Sequence, residues 1–140
     1  SGESFVINCW DDASTVVEPG KETKEAGKAA FDCLERATND LDRGLISALV
    51  TAPINKHNIQ SEDFKFPGHT EYLTDRFEAK SSLMMMVSEG FRMGVATGHI
   101  PLLGVSKALS AELLHTKITL FLKSLNTIVY KINCLLLQIT

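Results

Sequence analysis

The chain has 140 residues, 44% of them hydrophobic and 22% charged, which is the make-up of one small globular domain with a real core. A formal charge of −3 leaves no basic footprint, so nucleic acid is not an expected partner, and no apolar run is long enough to make a membrane an expected one. The opening SGESFVINCW has neither the basic start nor the long apolar centre of a signal peptide.

Three cysteines, Cys9, Cys33 and Cys134, lie far apart with no CxxC pair. That spacing argues against a disulfide framework or a cysteine zinc site; it suits free, buried thiols and a cytoplasmic location.

In chain order, SFVINCW is rich in β-branched and aromatic residues and predicts a short strand at 4–10. DDASTVVEPGKET follows as a polar connection with a break at Pro19-Gly20. A helix is expected from about Thr23, because Ala26, Ala29, Ala30, Cys33, Leu34, Ala37 and Leu41 recur at helical spacing, and Gly44 closes it. LISALVTAP, residues 45–53, is a near-continuous apolar run that suits a strand covered on both faces, as in a parallel sheet. Residues 55–70 predict a long functional or mobile loop with a helical turn around NIQSED.

GHTEYLTDRFEA then predicts a short helix with Thr70 at its N-cap. SLMMMVSE and FRMGVATGH predict two strands joined by a tight turn at Glu89-Gly90. IPLLGVSKALS leads into helical pattern, and SAELLHTKITLFLKSL is the clearest helix, with Ser110 as N-cap and Leu114, Ile118, Phe121, Leu122 and Leu125 on one face. Strands alternating with helices predict a layered α/β sheet with flanking helices. The organisation expected is a partial α/β domain over 1–126 and a divergent apolar tail over 127–140, whose apolar run needs a partner surface.

Four histidines are candidates for chemistry. His115, beside the apolar stripe of the last helix, and His57, in the long loop, are expected to be surface or packing residues. His69 and His99 each sit beside a glycine, in GHT and GHIP, where a ligand can approach closely. His99 also falls at the expected C-terminal end of a strand, where sites in open α/β sheets collect, and histidine is the commonest side-chain ligand of transition metals. In VTAPINK, Pro53 stiffens the strand exit, and Asn55 and Lys56 offer an amide and an ammonium to an anion. Walker A, GxGxxG, GxSxG and HExxH motifs are all missing from the sequence.

ALVTAPINK, FPGHTEYL, LMMMVSEGFRMGVATGHIPL and LLHTKITLFLKSL, in this order and spacing, resemble the middle of the 4-hydroxythreonine-4-phosphate dehydrogenase family, over about residues 5–125. The resemblance implies a partial isocitrate/isopropylmalate dehydrogenase-like fold and a homodimer with the active site at its interface. It also implies oxidation of 4-phosphohydroxy-L-threonine by NAD with a divalent cation (Zn, Mg or Co), then decarboxylation, in pyridoxine 5′-phosphate biosynthesis. His69 and Thr70 would contact this phosphorylated hydroxy-amino acid, His99 would be a metal ligand, and Lys56 is a further anion contact.

Departures from the family pattern are equally visible. The family's glycine- and proline-rich beginning is missing, and so are the Asn-Pro-His-Ala-Gly and His-Asp-Gln motifs that carry its other two metal histidines. Ala52 stands where the commoner family form has glycine. The retained motifs also fit a related dehydrogenase of threonate or erythronate 4-phosphate. The missing ones fit a catalytically dead module that dimerises or binds an anion.

Overall fold

The computed structural model describes residues 4–10, 16, 18–127 and 134–139, with backbone only at 126–127 and 134–139. Residues 11–15 and 17 of the expected connection, and residues 128–133 and 140 of the tail, lie outside the described residues. The chain divides into two compact units, Ser1–Tyr72 and Leu73–Thr140.

The first unit is built on helix α1, Lys24–Asp42. Ahead of it, Lys21 N donates to Glu18 O at 3.0 Å, closing a turn around Pro19 and Gly20, and Gly20 takes φ +82°. Proline second and a positive-φ glycine third is type II turn chemistry. Thr23 caps α1, its Oγ1 accepting from Ala26 N at 3.2 Å, a contact typically worth about 1 kcal/mol. The helix ends as expected at Gly44, φ +68°, with Gly44 N donating to Leu41 O and Leu45 N to Asp40 O. Those two bonds form a Schellman cap.

The strand expected at 45–53 does not form, nor does the one at 4–10. Both stretches are irregular and largely exposed, Val6 at 97% and Val50 at 96%. β-propensity expresses itself through cross-strand neighbours, and these segments find no ladder among the described residues.

The segment read as a loop supplies the first unit's core instead. Ile59 and Phe64 are buried, at 2% and 0% exposure. Phe64 stacks with Phe31, Phe66 and Tyr72 at ring-centre distances of 5.8, 5.5 and 5.4 Å. The helical turn here falls at Lys56–Ile59, earlier than expected, because Asn55 Oδ1 accepts from His57 N at 2.8 Å and Asn58 N at 3.2 Å. The turn lies against α1 at Gly27, where a Cβ would come within 1.9 Å of Asn58 O. Asn58 Nδ2 ties it to Thr23 O at 2.9 Å. Only glycine permits that approach.

Helix α2 spans His69–Arg76. It ends on Glu78 at φ 49°, with Glu78 N donating to Asp75 O and Ala79 N to Thr74 O, the same cap as on α1 but without glycine. In the second unit, β1 (Ser82–Ser88) and β2 (Phe91–Val95) form the expected hairpin across Glu89-Gly90, with Gly90 at φ +77°. β3 (Cys134–Ile139) pairs with the other edge of β1, giving the order β2-β1-β3, antiparallel throughout. Part of the apolar tail thus finds its partner in β1.

Helices α3 (Leu102–Ala108) and α4 (Ala111–Thr127) follow β2. Ser110 caps α4 as expected, Oγ accepting from Leu113 N at 3.1 Å. The core consists of Leu83, Met85 and Val87, alternate residues of β1, with Leu120 and, partly buried, Phe121.

The face of α4 differs from the expected one. Leu114, Ile118 and Leu122 are exposed, whereas Leu120 and Ser124 are buried. A helix apolar around much of its girth has two candidate faces. The Ser124 hydroxyl fits the buried one by donating to Leu120 O at 2.7 Å.

Candidate functional site

His69 and Thr70 open α2, with Gly68 just before the helix. Gly68 O accepts from Tyr72 N at 3.2 Å, so Thr70 stands inside the first turn and is not the N-cap. The cause is local: Gly68 takes the flanking position, and the helical hydrogen bonds begin there. Glu71 adds a favourable negative charge at the helix start. One turn on, Tyr72 is 5% exposed and packs against Phe31, Phe64 and Phe66. This aromatic base fixes the position of the helix start.

His69 is half-buried, and burial pushes its imidazole below its ordinary 6.5. At neutral pH it is therefore an uncharged ring, with one nitrogen to donate and one to accept. Lys56 belongs to the same unit and is exposed. Its main chain is linked to the approach to His69 by Gln60, whose Nε2 donates to Lys56 O at 3.2 Å and to Phe66 O at 3.0 Å. The Asn55 side chain, expected to face an anion beside Lys56, uses its oxygen to cap its own turn.

His99 belongs to the second unit and is exposed. β2 ends at Val95, so His99 is not at a strand end but on the following turn, where Ile100 N donates to Gly98 O at 2.7 Å. That bond makes His99 the centre of a γ-turn, of the unstrained inverse kind because its φ is not positive. Among the described residues no group of three or more His, Cys, Asp or Glu side chains is placed to hold a metal ion. The donors present therefore do not complete a divalent-cation site. His57 and His115 are exposed, in keeping with surface roles.

Sequence reasoning missed Lys117. Its ammonium is half-buried and donates to Ser82 O, and burial lowers its pKa. It lines a groove of about 210 Å³ with Leu83, Gly94, Ala96, Leu114, Ile118 and Phe121. Its signal was its place within the apolar stripe, between Leu114 and Ile118. Among the described residues no helix is long and apolar enough to cross a membrane.

Comparison with known proteins places these residues in context. The chain is 47% identical over 117 residues to the 4-hydroxythreonine-4-phosphate dehydrogenase of Bacteroides thetaiotaomicron, covering 83% of this chain and 32% of that protein. It is 37% identical over 111 residues to the enzyme of the same name from Citrobacter koseri, covering 79% and 34%. The crystal structure of 4-hydroxythreonine-4-phosphate dehydrogenase from Klebsiella pneumoniae superimposes with a TM-score of 0.74 at 30% identity, covering 81% of this chain and 35% of that one. The chain thus spans about a third of the length of these relatives. The family model described as pyridoxal phosphate biosynthetic protein PdxA matches residues 3–135, and so extends into the tail; the chain belongs to that family.

Proposed function

We propose that this chain carries the substrate-facing part of an NAD-dependent, divalent-metal-dependent dehydrogenase. The enzyme would oxidise 4-phosphohydroxy-L-threonine to 2-amino-3-oxo-4-phosphooxybutanoate, which then loses CO2 to give 3-amino-2-oxopropyl phosphate. The setting is a homodimeric, cytoplasmic enzyme of pyridoxine biosynthesis with an isocitrate/isopropylmalate dehydrogenase-like layering. The observation that carries this reading is the neutral, half-buried His69 at the start of α2, held by the Phe31–Phe64–Phe66–Tyr72 base within the GHT motif of a PdxA-family chain.

His69 and Thr70 act here by binding and orienting the phosphorylated substrate. A neutral imidazole can donate to a phosphate or hydroxyl oxygen without a second charge, and a hydroxyl can donate or accept beside it. Lys56 offers a point charge to the same anion. His99 supplies an imidazole toward a cation that polarises the hydroxyl being oxidised. With no further ligands grouped among the described residues, the chain by itself is expected to be inactive.

The test restores the missing parts by exchanging residues 3–135 into the Bacteroides thetaiotaomicron relative in place of the matched region. NAD-dependent oxidation of the phosphorylated substrate should be retained by the chimera and missing from the isolated chain. In the chimera, His99→Ala should lose metal and turnover together, with partial recovery in excess metal. His69→Ala should keep its metal while kcat/KM falls by about 1–3 kcal/mol. Loss of metal from His69→Ala and its retention by His99→Ala would reverse the two roles. Purely structural roles would lower Tm and leave the kinetics of the folded enzyme intact. Turnover of threonate or erythronate 4-phosphate in preference to the amino acid would reassign the substrate.

A further inference from the structure

Leu114, Lys117, Ile118 and Phe121 recur on α4 at the spacing that puts residues on one side of a helix. With Leu83 of β1 and Gly94 of β2 they line the groove of about 210 Å³, which lies wholly within the second unit. Leu83 is buried, whereas Leu114 and Ile118 are exposed and form the rim. Gly94 keeps β2 bare beside Phe121: a Cβ there would stand 3.1 Å from Phe121 Cδ2 and 3.4 Å from Leu83 Cδ1.

Lys117 interrupts this apolar lining. Its half-buried ammonium donates to Ser82 O, which is neutral, and none of the ion pairs among the described residues includes it. An ammonium has three N–H groups to donate, and the carbonyl takes one. A cation drawn from water without a counter-ion is costly.

We propose that the groove binds a small monocarboxylate with a short apolar body, its carboxylate paired with the Lys117 ammonium and its chain laid along Leu83, Ile118 and Phe121. One ammonium neutralises one negative charge, whereas a phosphate dianion would leave a second charge against apolar walls. The two oxygens of a carboxylate can accept from both N–H groups that the carbonyl leaves. The groove falls short of the roughly 300 Å³ at which pockets for larger ligands begin, so a chain of few carbons suits it. Burial lowers the pKa of Lys117 with no carboxylate acting in the other direction, in keeping with a charge that lacks its partner.

The experiment titrates butanoate and hexanoate into the ¹⁵N-labelled chain, follows the amide signals of Gly94 and Ala96, which line the groove, and uses hexanol as the uncharged probe. Hexanoate should give saturable shifts with a Kd of about 1 mM or below. It should bind about tenfold tighter than butanoate, because two more CH2 groups leave water. Lys117→Met should weaken hexanoate by about tenfold or more, and Lys117→Arg should retain it. Leu114→Glu, one turn before Lys117 on the exposed rim, should supply a carboxylate of its own and exclude hexanoate, whereas Leu114→Gln should not. The amide signals away from the groove report native structure in each variant, and the exposed Leu114 pair keeps the test independent of the folding of Lys117→Met. Hexanol binding as tightly as hexanoate, equal hexanoate affinity in Lys117→Met and the parent, or no saturable shift would overturn the proposal. A hexanoate affinity that falls as chain concentration rises would seat a second copy of the chain on the groove and overturn it as well.

Discussion

The two units of this chain bury their apolar residues in different ways. In Ser1–Tyr72 the core is aromatic and comes from α1, the start of α2 and the irregular segment between them: Phe31, Phe64, Phe66 and Tyr72, with Ile59 and Leu34 also buried. In Leu73–Thr140 it is aliphatic and comes from alternate positions of one strand and a helix face. Each leaves apolar surface in water, at Phe5, Val6 and Val50 in the first and at Leu102, Leu103 and Ile118 in the second. The difference bears on the two histidines. His69 rests on a base made entirely by its own unit, so its setting survives in this chain. His99 lies exposed on a turn, and its proposed role needs further ligands that are not grouped with it among the described residues.

The largest effect expected is from Phe64→Ala, which removes the ring at the centre of the aromatic base. Full burial puts the cost at about 3–5 kcal/mol. Urea unfolding should show it, together with loss of near-UV dichroism. Retention of both would mean that the aromatic base does not hold the first unit together. Leu83→Ala in the second unit should cost about 2–5 kcal/mol by the same reasoning.

Next comes Gly27→Ala. Alanine is worth about 1 kcal/mol more than glycine inside a helix, yet its Cβ would meet a main-chain oxygen at 1.9 Å. Displacing the Asn55–Ile59 turn should dominate, for a net loss of about 1–3 kcal/mol. A more stable variant would show that the turn gives way easily.

The two matching helix caps sharpen the comparison further. Gly44→Ala should destabilise by about 1 kcal/mol, whereas Glu78→Gly should stabilise by about as much, because only a residue without Cβ takes positive φ at no cost. Thermal unfolding of both variants checks the opposite signs.

The smallest effect is the pH dependence contributed by His69. Its native pKa lies below the ordinary 6.5, so the unfolded chain takes up the proton first as pH falls. The His69 contribution should be fully present above about pH 6.5, decline below it, and level off once the native imidazole protonates as well. His69→Gln should therefore flatten the stability profile on the acid side of neutrality. A profile parallel to that of the parent would mean that the burial of His69 has no energetic consequence.

Helices and the hairpin were legible because their signals are local. Thr23 and Ser110 cap, Gly44 stops α1, and Glu89-Gly90 turns the chain, each by chemistry within a few residues. The segments at 4–10 and 45–53 failed because a strand is a relation between two segments, and high β-propensity cannot supply the second. The loop at 55–70 misled for the opposite reason. It has no period, but it holds Phe64 and Phe66 and leads directly to Tyr72, and such an aromatic density is itself a sign of core. The proposed site residues rest on the motifs of the family. Position alone gave less: β2 stops short of His99, and Thr70 lies past the cap.

Gly27 has a further consequence for anyone mapping this protein by saturation mutagenesis. Every substitution there sets a side chain against the Asn58 carbonyl, so the position should score as intolerant as a catalytic residue. It touches no ligand in the proposed chemistry and carries no functional group. A map coloured by intolerance would therefore paint a false hot spot on α1, and only a measurement separating abundance from specific activity would remove it.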